Sequence, residues 1–167
     1  MKYLILSCLI LFTLTTCKEE GQLKNIPVNG SAAPAQLPPP NRPETAILTA
    51  RFWVFDAWVD SLDPAKYRDQ KGRWFRFNAD GTYDGGHWED YNDQGTWFLK
   101  QGSQYPILIT DSKTDDLRDA EWELQGIIDA SNIMSWVKTG KLGDGRVALC
   151  KLEPLLTMPS KKQFGVE

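Results

Sequence analysis

From about residue 51 to residue 152 apolar and polar positions alternate in short runs separated by turn-forming residues. That spacing predicts β-strands rather than amphipathic helices. Arg51 to Val59 is aromatic and β-branched and suits a first strand. A helical signal follows it, because Asp63 precedes a proline at a first helical position and Gly72 closes the segment, giving two turns at most. Trp74 to Phe77 and Thr82 to Asp84 flank Asn78-Ala79-Asp80-Gly81, where a type I turn ending in glycine closes a hairpin. Further strands are predicted at Gly95 to Lys100, Tyr105 to Thr110, Ala120 to Ile128, Asn132 to Lys138 and Val147 to Leu152. Asp129-Ala130-Ser131 and Gly143-Asp144-Gly145 supply the later turns.

Alternation also assigns faces. Phe75 and Phe77 share a side opposite Arg76, while Trp122 and Leu124 oppose Glu121, Glu123 and Gln125. One apolar face per strand over seven or eight strands predicts an all-β antiparallel meander closing into a small barrel, with one short helix after the first strand.

The ends of the chain follow other rules. Lys2 precedes an apolar run from Tyr3 to Leu14, too short to span a bilayer and laid out as a cleavable export signal. It ends in Leu14-Thr15-Thr16-Cys17, which resembles the lipobox of bacterial lipoproteins, with Thr16 departing from the usual glycine, alanine or serine. The resemblance implies a signal peptide over 1–16 and lipidation of Cys17, the other reading being ordinary secretion with Cys17 as a bystander; Lys18 stands where aspartate is the inner-membrane retention signal of such lipoproteins, so the outer membrane of the cell envelope is the expected anchor site. Each buried methylene contributes about 0.8 kcal/mol, so several chains anchor stably where one does not. Lys18-Glu19-Glu20 resembles a surface-export signal of some such lipoproteins; the other reading is a solvated charge cluster. Residues 17–45, rich in proline toward Pro38-Pro39-Pro40 and Pro43, read as a tether: flexible at first, then semi-rigid.

The folded domain is expected over 46–157, with a tail over 158–167. All seven tryptophans fall between Trp53 and Trp136, inside that domain. Net charge is −3, and losing Lys2 with the signal makes it about −4. Without a basic stripe interleaved with aromatics, nucleic acid is not an expected partner. Cys8 leaves with the signal and Cys17 is committed to lipid, so Cys150 stands alone in a strand-like run and reads as a buried, inert thiol.

Taken together, the tryptophan-rich first strand, the short helical insertion, Trp74-Phe75-Arg76-Phe77-Asn78-Ala79-Asp80-Gly81-Thr82-Tyr83 and then Gly95-Thr96-Trp97 resemble the lipocalin-like domain of small Gram-negative lipoproteins. The likeness covers roughly Thr45 to Glu153. True lipocalins carry their Gly-x-Trp in the first strand, so their ligands do not transfer. What the resemblance implies is a lipocalin-like β-barrel with a tendency to bind.

Catalysis finds little support. The one histidine, His87, lies in the polar stretch Asp84 to Asp93, read as a mobile hairpin loop, and the spacing of His87, Glu89 and Asp93 fits neither a zinc nor a calcium pattern. Asp111 to Asp116 reads as a solvated turn. Serine and cysteine nucleophiles lack a second histidine-type base. No enzyme, cofactor or metal is expected. A small apolar or amphipathic ligand is, with Phe75, Phe77, Trp97, Leu99, Trp122, Leu124 and Trp136 as a barrel lining that could equally be a filled core. The alternative is an interaction module that binds a glycan or an envelope protein through exposed Trp74, Trp88, Tyr91 and Phe98.

Overall fold

The computed structural model describes residues 26, 28–60, 62–126 and 132–166. Eight strands form a closed antiparallel barrel in sequence order: β1 (Phe52–Asp60), β2 (Arg73–Phe77), β3 (Thr82–His87), β4 (Asp90–Lys100), β5 (Ile107–Ser112), β6 (Ala120–Gln125), β7 (Met134–Thr139) and β8 (Val147–Leu155). Closure comes from β1 pairing with β8, Phe52 opposite Leu155 and Asp60 opposite Ala148. No sheet edge is left open, which removes the main route to strand-to-strand aggregation. A bulge at Asp56 shifts the β1 register between Phe55 and Ala57. Inward parity therefore runs Trp53, Phe55 and then Trp58, so three aromatics of one strand reach the interior.

Connections alternate between two ends. At one end, here the mouth, lie the β1–β2, β3–β4, β5–β6 and β7–β8 connections, and helix α2 (Lys66–Gln70) sits in the first of them. At the other, the floor, lie the β2–β3, β4–β5 and β6–β7 connections. Helix α1 (Pro43–Ala50) enters β1 from the floor end, with proline in its first turn and Leu48 fully buried in the barrel core.

The hairpin predicted at Asn78–Gly81 is present. Gly81 has φ +85°, its N–H reaches the Asn78 carbonyl at 3.2 Å, and the Asp80 carboxylate accepts from the Thr82 N–H and hydroxyl. Helix α2 is present within the two turns predicted. Asp63 does not cap it; its carbonyl accepts from the Lys66 N–H in the turn that precedes the helix.

At four points the structure departs from the sequence reading or adds to it. Helix α1 lies ahead of β1, where no element was predicted, so the short helix after the first strand is the second of the chain. Asp84–Asp93 is ladder, not mobile loop: β3 and β4 continue through Gly86 opposite Tyr91 and His87 opposite Asp90, joined by Trp88-Glu89. The glycines suit the strand because a Cβ on Gly86 would lie 2.5 Å from the Trp74 ring, which packs across that position. Much of the expected tether lies along the barrel wall. Gly30 N–H reaches Lys113 O, Ala33 N–H reaches Asp111, the Thr96 hydroxyl reaches Ala33 O, and Pro38 is buried. Finally, the expected tail is ordered around a 3₁₀ turn (Lys161–Phe164) with a Ser160 capping box, and Phe164 packs on Trp88 at 5.4 Å. Cys17, the signal peptide and the Asp129–Ser131 turn lie outside the described residues.

Candidate functional site

The seven residues predicted to line the barrel all point into it. Phe75, Phe77, Trp97, Leu99, Trp122, Leu124 and Trp136 belong to one buried cluster, joined by Trp53, Phe55, Trp58, Tyr83 and Leu48. They touch one another rather than an empty lumen. Phe75 stacks on Phe77 at 5.6 Å and on Trp136 at 6.3 Å; Phe77 meets Trp97 edge-on at 5.2 Å; Trp122 lies 5.8 Å from both Phe55 and Trp136. Such pairs are worth about 0.5–1.5 kcal/mol each beyond their area, and removing one buried ring costs about 3–5 kcal/mol. A ligand seated mid-barrel would have to displace that packing.

Polar atoms within the core are mostly paired. Trp53 Nε1 donates to Leu48 O at 3.0 Å, Trp97 Nε1 to Asn78 O at 3.0 Å, and Trp122 Nε1 to the Thr110 hydroxyl at 3.1 Å. Asp93 is buried inside the wall, accepting from the Ser112 hydroxyl at 2.7 Å and the Tyr83 phenol at 3.4 Å, with Arg118 at 3.9 Å. Burial, and then the Asp93 carboxylate, push the Tyr83 phenol far above its ordinary value. Two indole N–H groups, of Trp58 and Trp136, are buried without an acceptor among the described residues.

Space remains at the mouth. A cavity of about 70 Å³ is floored by Phe55, Phe75, Trp58 and Trp122 and rimmed by Gln70, Leu117 and a set of charged side chains. Lys66, Arg73, Arg118, Lys138 and Arg146 line it with one carboxylate, Asp144, while Asp60, Asp63 and Asp93 lie behind the lining. Lys138, 5% exposed, is paired with Asp144. Arg146 lies 3.2 Å from Asp60 and 3.8 Å from Asp144. The Leu62 N–H, with Arg146 beside it, holds the Asp60 carboxyl below the usual carboxylate range. Of these lining residues, sequence alternation points only to Phe75 and Trp122. One signal was available, since Met134, Trp136 and Lys138 share a parity and β7 therefore carries a lysine inward at the mouth.

The alternative surface site is not assembled. Trp74 and Trp88 are 2% and 6% exposed, and Tyr91 and Phe98 are half-buried. Trp74 donates to Trp88 O, meets Phe52 edge-on at 5.4 Å and Tyr91 at 6.1 Å, and Trp88 is covered by Phe164. Trp74, Trp88 and Tyr91, with Phe52 and Phe164, form a satellite core outside the barrel. His87, Glu89 and Asp93 are engaged separately: His87 Nε2 with Lys71 O, Glu89 with the Lys161 N–H, and Asp93 inside the wall. Among the described residues no three His, Cys, Asp or Glu side chains are gathered so that they could hold a metal ion. Cys150 is buried, and burial pushes its thiol well above the usual range.

The fold places the chain in the class of small closed eight-stranded antiparallel β-barrels. No protein-family model matches it, and neither a curated protein nor a solved structure does.

Proposed function

We propose that this is a non-catalytic, lipocalin-like barrel lipoprotein of the Gram-negative cell envelope, held to the outer membrane through acylated Cys17, which binds a small amphipathic ligand at the mouth of its barrel. The observation that carries the binding site is the mouth cavity of about 70 Å³, which joins an aromatic floor to a charged rim while the rest of the interior is filled by its own rings. A lining that is apolar on one side and polar on the other suits a ligand of the same make-up, and sites of this kind orient their ligands with a few placed polar groups. Volume limits the inserted part to a few heavy atoms, several waters' worth of space. Exposed stacking aromatics would favour the interaction-module reading, and the four candidates are buried or half-buried.

The test uses two of the indoles that floor the cavity, Trp58 and Trp122, as reporters. Titrating the protein with a neutral polarity-sensitive dye should shift its tryptophan emission saturably. Gln70→Trp, which puts a large ring at the cavity rim, should abolish the shift. An unchanged emission in the wild type would overturn the site. The anchor has its own test: labelled fatty acid should enter the wild type and not Cys17→Ser, and an unlabelled wild type would remove the lipoprotein reading.

A further inference from the structure

The charges around the mouth do not balance locally, and the imbalance lies on two particular side chains. Lys138 and Arg146 share Asp144 and Asp60, with Asp63 at 4.0 Å from Arg146, and Arg118 has the Asn92 carbonyl at 2.8 Å and Asp93 at 3.9 Å. Arg73 is different. Its guanidinium, half-buried at the first residue of β2, donates to Gln70 Oε1 at 2.9 Å and forms no ion pair among the described residues. Lys66, one turn of α2 earlier, makes neither a side-chain hydrogen bond nor an ion pair there. Both line the same cavity. Burial, followed by the nearby positive charge of Arg118, makes the charged state of Arg73 harder to hold. The Asp93 and Asp144 carboxylates act the other way, but neither forms an ion pair with Arg73, and a half-buried guanidinium beside a second one is costly without a carboxylate directly against it. The floor below adds a second requirement, because Phe55, Phe75 and Trp122 offer apolar surface. Trp58, 7% exposed, adds a ring whose N–H has no acceptor among the described residues.

We infer that the mouth binds a small organic carboxylate, its two oxygens against the Arg73 fork and Lys66, and its short apolar tail on the Phe55, Phe75 and Trp122 floor. The planar guanidinium presents paired donors that match a carboxylate. Inorganic phosphate would satisfy the rim and leave the aromatic floor unused. This inference rests on the binding site proposed above and names the chemistry of its ligand.

The test is calorimetric titration of the full-length protein with benzoate and butyrate, beside benzyl alcohol and butanol as neutral counterparts, inorganic phosphate, and the neutral dye. Benzoate or butyrate should bind saturably, at least tenfold more tightly than the matching alcohol, and more weakly as salt is added. Arg73→Gln should weaken carboxylate binding at least tenfold. Should that variant fold poorly, Lys66→Gln on the exposed helix should weaken it severalfold with the fold intact, and Arg51→Gln, at the floor where α1 passes into β1, should leave it unchanged. If alcohols and dye bind as well as the carboxylates, or both mouth variants bind carboxylate as the wild type does, the mouth remains a binding site and the carboxylate inference falls. Phosphate binding more tightly than the carboxylates also overturns it. If no probe binds, the dye included, the site itself falls.

Discussion

The two ends of the barrel are each met by a short helix, and they are closed in different ways. At the floor, α1 inserts Leu48 into the core, its carbonyl takes the Trp53 indole N–H, and the neighbouring Asn78 carbonyl takes that of Trp97. At the mouth, α2 has no buried residue and presents Lys66 and Gln70 to a cavity lined by charge. The difference teaches that a helix closes a barrel by inserting a side chain and satisfying the polar atoms beneath it. A helix that only lies across the opening leaves room for something else. Stability is therefore expected to concentrate at the floor and binding at the mouth.

The sharpest way to break this comparison is Leu48→Ala, which removes the plug and should cost about 2–5 kcal/mol by denaturant unfolding. A loss below 1 kcal/mol would mean that the floor is not held by α1. Next comes Gly81→Val, at the floor-end hairpin. Positive φ there strains a β-branched residue by about 1–3 kcal/mol, and a Cβ would also meet Gln36 O at 2.0 Å, so the N-terminal segment should be displaced as well. Equal thermal midpoints for variant and wild type would remove that reading.

At the mouth the expected effect is a pH dependence. Asp60 is held below the usual carboxylate range, chiefly by the Leu62 N–H, so the folded state binds its proton less readily than the unfolded chain does. Its stabilising contribution is complete above the ordinary aspartate value of about 3.9 and is lost as pH falls through the lowered folded value. Asp60→Asn should flatten the acid limb of a stability-versus-pH curve, whereas an unchanged limb would place the acid sensitivity elsewhere. The smallest effect belongs to Lys66→Ala, within about 0.5 kcal/mol of wild type in unfolding. A large loss there would make α2 a structural plug like α1 and erase the contrast.

What the sequence discloses divides along the same line. The barrel wall is legible because period-two alternation places Phe75 with Phe77 and Trp122 with Leu124, and all four point inward. The Asn78–Gly81 turn is legible because one position demands positive φ and holds glycine. Helix α1 hides behind a proline-rich composition, although Pro43 and Glu44 form a reasonable first turn. The Gly85-Gly86 run suggests a loop because a strand gains nothing from glycine until Trp74 packs across it. Glu121 reads as a wet face yet is buried, because Lys100 and Lys141, distant in sequence, bind its two oxygens at 2.7 and 2.6 Å. The mouth was least visible of all. Arg73, Lys66, Arg118 and Lys138 come from separate elements, and only the barrel's closure brings them to one rim.

The path of the N-terminal segment sets how the barrel can be held. Among the described residues, hydrogen bonds to the wall start with Gly30 against Lys113, beside the β5–β6 connection at the mouth, and the chain then descends the wall past Thr96 to Gln36 at the floor before entering α1. The span from the proposed anchor at Cys17 to Gly30 covers at most about 45 Å when fully drawn out, at roughly 3.5 Å per residue. Under the proposed anchoring, the charged opening is the end of the barrel that the chain reaches first from the lipid, and the plugged base is the end it reaches next.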